Sequence, residues 1–343
     1  MIEFKRIEPE AVRWDELDAF ADRTVFQSRE WLNFISETQN AKPVIAELRD
    51  GGDVVGYFTG LVVKRMGIRI LGSSFPGWAT PFMGFNLLPG VPRRPALERL
   101  EKFAFDDLRC LHFEISDRYL TLEDGEGLGL EHKFYTSFET DLKKTEEELF
   151  KAMNSACRRC IRKAEKSGVS VEEAHDREFA DEYYEQLKDV FAKQGLVPTY
   201  DAARVRALIN HLLPTGNVLL LRVRGPEGNC IGTGIYPALN KIAEFWGNAS
   251  FRASQNFRPN EICHWYAMRY WKARGVEFFD WGGGGSYKVK YGPYKIDVPW
   301  FYKSKYKVLS TLRHTAQRAF AAKQKLQGRF LRTPVPSQDS DEE

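Results

Sequence analysis

The chain has 343 residues, 43% of them hydrophobic and 28% charged, with a formal net charge of +3. That length suits two hydrophobic cores, and the composition is that of an ordinary globular protein, which excludes wholesale disorder and fibrous repeats. No apolar run approaches the roughly 20 residues that cross a bilayer, and the first six residues lack the apolar core of a signal peptide, so a cytoplasmic protein is expected.

In chain order, the first half opens with a helical stretch, 28–37. Strand-like residues 43–48 then meet the turn Asp50-Gly51-Gly52-Asp53 and residues 54–63, which reads as a hairpin. A strand at 68–71, a Gly/Pro-rich loop at 72–94, a helix at 95–105 and a strand at 111–115 follow. Helices at 146–166, introduced by the capping box Thr145-Glu146-Glu147-Glu148, and at 179–194 open the second half. The order then repeats: hairpin 218–223 and 230–236, strand 242–246, loop 247–260, helix 261–274 stopped by Gly275, strand 276–281. The expected domains are 1–127 and 128–303, joined at the polar, Gly-rich stretch 123–127. A basic helix over 304–332 and a disordered acidic tail over 333–343 complete the division.

Cys110, Cys157, Cys160, Cys230 and Cys263 are odd in number and scattered, which fits a reducing compartment rather than a disulfide framework. Cys157 and Cys160 share a helical face with Met153 and Ile161 and read as core packing. No Gly-x-Ser-x-Gly elbow, His-Glu-x-x-His motif or paired Cys/His spacing is present, so no metal is expected. His264, on an apolar helix face beside Trp265, reads as a packed residue rather than a base.

Three segments carry candidate chemistry. Arg158, Arg162 and Lys166 fall four apart on one helix face, with Arg159 and Lys163 beside them, which suits a phosphate-bearing ligand or a polyanion; a solvated helix face is the alternative. In the loop before the last helix, Arg252 and Arg258 flank free helix N-terminal amides with Asn260 as N-cap, giving either an anion site or a plain surface loop. Asp280 ends a buried strand that runs into Gly282-Gly283-Gly284-Gly285, followed by Lys288 and Lys290. Glycines let a backbone approach a ligand, and either lysine can reach a phosphate or a developing oxyanion; a glycine turn with solvated lysines is the alternative. The Gly-x-x-x-x-Gly-Lys-Ser/Thr phosphate loop is absent.

With these residues in view the chain resembles the Fem family of GNAT-like transferases and relatives in polysaccharide operons. Phe26-Gln27-Ser28-Arg29-Glu30-Trp31 is similar to the family's Phe-x-Ser-x-x-Trp, and residues 158–169 to its arginine-rich helix before a Gly-Val strand. Trp246-Gly247-Asn248-Ala249-Ser250 with Pro259-Asn260, and Tyr287-Lys288-Val289-Lys290-Tyr291-Gly292, complete the match. The resemblance implies an α/β (α+β) fold of two tandem GNAT-like domains, each a mixed, mostly antiparallel sheet flanked by helices. It also implies transfer of an aminoacyl or acyl group to a small-molecule or lipid-linked amine, with no bound cofactor. Aminoacyl-tRNA and acyl-CoA both stay open as donor; residues 229–234 partly meet the acyl-CoA loop pattern Gln/Arg-x-x-Gly-x-Gly/Ala. On this reading Lys288 stabilises charge with Lys290 in reserve, Asp280 or a water accepts the proton, and Arg158, Arg162 and Lys166 hold phosphate or tRNA backbone. Arg252, Arg258, Asn260, Trp246, Tyr287 and Tyr291 complete the substrate contacts. A CoA-dependent N-acyltransferase acting on an amino sugar or lipid-linked saccharide is the rival enzyme. A nucleic-acid or membrane-surface binding module, with its basic helix making peripheral membrane contact, is the rival outside catalysis.

Overall fold

The computed structural model describes residues 1–306 apart from Met66 and Gln194, together with Val308. The expected acidic tail, and the basic helix beyond its first residues, lie outside the described residues.

The first repeat begins with β1 (Glu3–Ile7), the short helix α1 (Trp14–Asp18) and α2 (Arg29–Gln39). The hairpin β2 (Lys42–Asp50) and β3 (Asp53–Arg65) follows, then β4 (Ile68–Ser73) and β5 (Gly84–Leu87). Helix α3 (Arg93–Lys102), β6 (His112–Ser116) and the single-turn α4 (Leu122–Gly125) close it. The second repeat opens with β7 (Glu131–Asp141), α5 (Glu146–Ala152), α6 (Ser155–Lys166), β8 (Ser170–Glu173), α7 (Phe179–Lys193) and α8 (Ala202–Leu212). Its hairpin is β9 (Val218–Arg224) and β10 (Cys230–Leu239). β11 (Ile242–Glu244), β12 (Gly247–Ser250), α9 (Pro259–Ala273), β13 (Phe278–Asp280) and β14 (Tyr294–Ser304) end the described fold.

The sheet bears out the repeat read from the sequence. Its strand order is β1-β2-β3-β4-β6-β14-β7-β13-β11-β10-β9-β8, which gives the same series of roles read from either end. In each repeat an edge strand lies beside a hairpin, and the third strand runs parallel to a closing strand reached through a helix: β4 to β6 by way of α3, β11 to β13 by way of α9. Each repeat also pairs a short strand back onto its hairpin, β5 on β3 and β12 on β10. The antiparallel pair β14–β7 joins the two series, because β14 pairs β6 of the first repeat along one edge and β7 along the other. The strand pairings are therefore mixed and mostly antiparallel, with helices packed against the sheet.

Three apolar clusters fill the fold. One lies on the first repeat around Phe58, Phe85 and Phe103. A second lies in the second repeat around Tyr236, Phe279 and Trp281. The third joins the repeats, packing Trp31, Phe34 and Ile35 of α2 with α7, α8 and Ile235.

The helix expected over 146–166 is two helices. Met153 is extended, and the Asn154 side chain accepts the Cys157 amide at 2.8 Å, so Asn154 N-caps a fresh start at Ser155. The Thr145 capping box forms as read. Replacing an N-cap Asn by Ala costs about 1 kcal/mol. Asn154→Ala is therefore expected to lower the urea midpoint by that stability with an unchanged denaturant slope; an unchanged midpoint would show that the break is held by packing instead.

Candidate active site

In the second repeat the third strand bends. β11 pairs β13, but β12 pairs only back onto β10, so the sheet splays where residues 245–250 part from the chain after Asp280. A cavity of about 330 Å³ opens at this splay, lined by Glu244, Phe245, Trp246, Trp281, Tyr287 and Lys288 of the second repeat among others. Phe26, Ala79 and Pro81 of the first repeat form its far wall. Ala79, Pro81, Tyr135 and Gly283 also line a second cavity of about 660 Å³, which continues past Phe75, Phe134 and Trp300. The site therefore lies at the seam of the two repeats.

The first-repeat wall is a loop, 74–83, pinned from two sides. Trp31 of α2 donates its indole N–H to Thr80 Oγ1 at 3.1 Å, and Arg204 of α8 donates to the Trp78 carbonyl at 2.6 Å. The Phe-x-Ser-x-x-Trp resemblance acquires a physical meaning here: Ser28 caps α2 at the Trp31 amide, Trp31 is fully buried and holds the loop, and Phe26 reaches the cavity.

The opposite wall is the glycine run. Gly282, Gly284 and Gly285 have φ of 66°, 73° and 71°, a region that side chains strain to occupy. Gly283 passes so close to Tyr135 that a Cβ would lie 2.8 Å from its ring. Its amide donates to the Tyr135 hydroxyl oxygen at 2.6 Å. Burial raises the Tyr135 phenol far above its usual range, so it keeps its proton.

Lys288, 5% exposed, sits beneath this run and donates to the carbonyls of Trp281, Gly282 (3.0 Å) and Gly283 (2.9 Å). Burial lowers it to about 8. An ammonium has three N–H donors, and here all three are taken. The charge-stabilising role read for Lys288 thus meets a different geometry: the amine holds the glycine run in shape, and reaching an oxyanion would release a backbone carbonyl. Lys290 points elsewhere, to Glu261 at 2.6 Å, tying the turn to α9.

Asp280, read as the proton acceptor, is likewise committed. One oxygen accepts from the Ser137 hydroxyl and from the Gly282 amide at 2.6 Å, and the other accepts from Arg118 at 3.2 Å. Both of its oxygens already carry hydrogen bonds, which a role as proton acceptor would have to share or exchange.

Glu244 escaped the sequence reading. It is 2% exposed and lines the smaller cavity, and its Oε1 is buried without a hydrogen-bond partner among the described residues. It is the direct neighbour of Asp280 across the β11–β13 ladder, and Asp280 neighbours Glu139 across β13–β7, so three carboxyls stand side by side. Arg118, from the first repeat, pairs with Glu139 and Asp280. Burial, reinforced by Asp280 and opposed by Arg118, pushes Glu244 well above the usual carboxylate range. Trp246, two residues on, carries a buried indole N–H with no acceptor among the described residues and lines the same cavity. The signal in the sequence was a lone acid inside the apolar run 242–246.

The other candidates separate. Tyr287, 48% exposed, stands at the cavity rim, whereas Tyr291 is 1% exposed, stacked on Trp281 at 4.4 Å, and supports the wall from inside the core instead of facing a ligand. His264 is buried against Phe245 and Trp281, bonded to Tyr236 at 2.8 Å and held down at about 3 by burial, a neutral packed ring as read.

Arg162 and Lys166 do come together with Arg159, Lys163 and Arg258, lining a groove of about 670 Å³ between α6 and the start of α9. Arg158 is not among its lining residues: its guanidinium donates to the Lys151 (2.9 Å) and Met153 carbonyls at the end of α5. Arg258, in the left-handed region, is the N-cap of α9 with Pro259 at its first position, so Asn260 falls in the first turn and is not the cap. The loop 251–258 contains no glycine, and the Arg252 amide is taken by Asp189 at 2.7 Å. Residues 230–234 of the acyl-CoA pattern lie in β10, where Gly232 is paired on both sides and a Cβ would meet Pro259 at 2.9 Å. These glycines serve helix–sheet packing, and the partial match carries no phosphate loop.

Residues 151–295 match the family model described as an acetyltransferase (GNAT) domain. Among solved structures, FemX is similar over 90% of this chain and 99% of its own, at 16% identity and a TM-score of 0.72. A tandem GNAT protein from the clavulanic acid biosynthesis pathway is similar over 89% of this chain and 99% of its own, at 12% identity and a TM-score of 0.52. L-PGS from Bacillus licheniformis is similar over 85% and 96%, at 12% identity and a TM-score of 0.52. At these identities the likeness is one of fold. No curated protein matches the chain in sequence.

Removing one member of a buried ion pair costs about 3–5 kcal/mol, because the partners are left charged and uncompensated. Arg118→Ala is expected to destabilise the fold by that order at neutral pH. Without the guanidinium the folded-state carboxyls bind protons more tightly, so the loss shrinks as pH falls toward the unfolded carboxylate range and grows as pH rises. Equal destabilisation from pH 4 to 8 in thermal melts would contradict this.

Proposed function

From a chain that carries a GNAT acetyltransferase domain in a Fem-like twin fold, we propose that it is an acyltransferase that moves an aminoacyl group from a charged tRNA to an amine acceptor of the cell envelope. The observation that carries the donor is the contrast between two surfaces of the second repeat. The loop before α9, where a coenzyme pyrophosphate would need free amides and close backbone approach, has no glycine and an amide already bound to Asp189. Beside it, Arg159, Arg162, Lys163, Lys166 and Arg258 line an open groove with no acid among the lining residues, which suits the repeating phosphates of a polynucleotide. The C-terminal basic stretch, 304–332, would add to that attraction or to contact with an anionic membrane surface.

The acceptor belongs in the larger cavity. Phe75, Pro76, Phe134, Tyr135 and Trp300 make its walls largely apolar, which fits an amine carried on an apolar or lipid-linked body. Aminolysis of an ester needs the two reactants held together and the tetrahedral oxyanion stabilised, with no covalent enzyme intermediate. The Trp246 indole N–H, without an acceptor among the described residues, and the protonated Tyr135 hydroxyl supply donors at the smaller cavity for that oxyanion. Lys288 contributes by fixing the glycine run that sets Tyr135 in place.

The test offers purified protein labelled aminoacyl-tRNAs and, separately, labelled acyl-CoAs, each with amine acceptors. Transfer from charged tRNA and none from acyl-CoA is expected; transfer from acyl-CoA alone would overturn the donor assignment in favour of a CoA-dependent N-acyltransferase. Binding of tRNA should also fall linearly with salt on logarithmic axes. An Arg162→Glu/Lys166→Glu double variant should lower that slope by about 1 for each phosphate it no longer neutralises, and an unchanged slope would remove the groove from tRNA binding.

A further inference from the structure

Among the described residues that line the larger cavity, Lys133 is the only charged side chain, and Phe75, Phe134 and Trp300 make the walls around it apolar. Resting on the acyltransferase reading above, we infer that Lys133 is a specificity-determining residue of this cavity. The acceptor it selects bears an acid group, a carboxylate or a phosphate, on the same apolar body as its amine.

The sign of the charge is the first observation. A primary amine reaches the protein at neutral pH mostly as an ammonium, and a site made for a simple ammonium offers it carboxylates or open aromatic faces. No carboxylate stands among the described lining residues, and the Trp300 ring already lies under a cation, with the Lys133 Nζ 4.8 Å from its centroid. The acids near this wall are placed elsewhere: Glu114 accepts the Trp300 indole N–H at 3.0 Å, and Asp297 is held by Lys295 at 2.7 Å and by Thr136. Glu131, two residues back along β7, does not line the cavity. A lone ammonium is therefore repelled here, and an acid group on the same molecule turns the repulsion into attraction.

Position is the second. Lys133 and Tyr135 are alternate residues of β7, so they project from one face of the strand, about 7 Å apart along it. Trp300 is the direct neighbour of Lys133 on β14, and its ring stands 6.3 Å from that of Tyr135. The cation thus lies beside the hydroxyl given to the oxyanion, but further out: Lys133 is exposed and Tyr135 half-buried. An acid group held at Lys133 leaves the amine directed inward past Tyr135, toward the smaller cavity. The third observation is the platform. Trp300 is 3% exposed and fixed by Glu114, so the ring under Lys133 narrows the freedom of a side chain that is otherwise costly to order. A lysine ammonium is a compact point charge that serves carboxylate and phosphate alike.

The test compares three acceptors of one chain length, aminohexanoic acid, aminohexyl phosphate and the neutral aminohexanamide, with charged tRNA as donor. The wild-type protein is expected to use at least one of the acids about 10-fold better in kcat/KM than the amide, the size of one charge-assisted hydrogen bond; which acid leads tells carboxylate from phosphate. Lys133→Met should erase that preference, with the loss falling on the acceptor KM, and Lys133→Arg should keep it. A binding measurement stands apart from turnover: by calorimetry the wild-type protein should bind hexyl phosphate more tightly than hexanol, and Lys133→Met should bind the two alike. Equal use of acids and amide by the wild-type protein would overturn the proposal while leaving the acyltransferase reading in place. So would a preference that survives in Lys133→Met, and a lowered melting temperature in that variant would then assign Lys133 to structure. Transfer to none of the three acceptors, with hexyl phosphate binding that still depends on Lys133, would sink the acyltransferase reading and keep the anion site.

Discussion

The seam between the repeats is bridged by one partly buried cation in contact with two buried carboxylates. Arg118, just past β6, the closing strand of the first repeat, is paired with the buried Glu139 and Asp280 of the second. Without it, neighbouring carboxyls on adjacent strands would face each other in a low-dielectric interior, where mutual repulsion and desolvation both oppose ionisation. The sheet itself runs unbroken across the β6–β14–β7 junction, because β14 pairs with both neighbours. Glu244, one strand further on, feels the same guanidinium less than it feels burial, which leaves it with the raised proton affinity.

The splay of the second sheet follows from a similar economy of space. β12 turns back to pair β10, and the chain after Asp280 must cross the gap as a glycine run whose carbonyls converge on the Lys288 amine. A lysine in the core, ordinarily unfavourable, is tolerated because three backbone acceptors replace its water. The equivalent splay in the first repeat is closed: Asp117 accepts the Phe85 amide and pairs with Arg93, and Gly84 packs against the Asp117 side chain. Duplication has thus given one open site and one filled one, with the first repeat supplying a wall to its partner.

Much of this was legible in the residues. The two hairpins, the closing strands and the helices before them follow from turn chemistry and apolar runs, and they appear in the fold in the order read; that the closing strands run parallel to the third strands came from the fold. Local signals failed where long-range pairing decides. β14 was missed because Pro299 interrupts its alternation, yet it is the strand that joins the repeats, since both of its edges find partners distant in sequence. β5 and β12 hid inside stretches that read as loops, because each is four residues long and forms only by pairing back onto a hairpin. At the site, the sequence located the glycine run, Lys288, Asp280 and Trp246. It could not assign their roles, because whether a lysine or carboxylate is free depends on hydrogen bonds that only the folded chain makes. Glu244 and Tyr135 were missed for the same reason: one charge in an apolar strand, and one tyrosine among several aromatics, carry little local distinction.

The central claim is that reaction takes place at the seam, with the acyl group held between the glycine run and the loop 74–83. Its most direct test is a crystal structure of the protein bound to a stable amide mimic of the aminoacylated tRNA 3′ end. The account predicts the carbonyl carbon within the cavity lined by Glu244, Trp246 and Tyr135, its oxygen near the Trp246 indole N–H, and the nucleotide leading out toward the groove at Arg162 and Arg258. Density for the aminoacyl group anywhere else on the molecule, with this cavity empty, would contradict it.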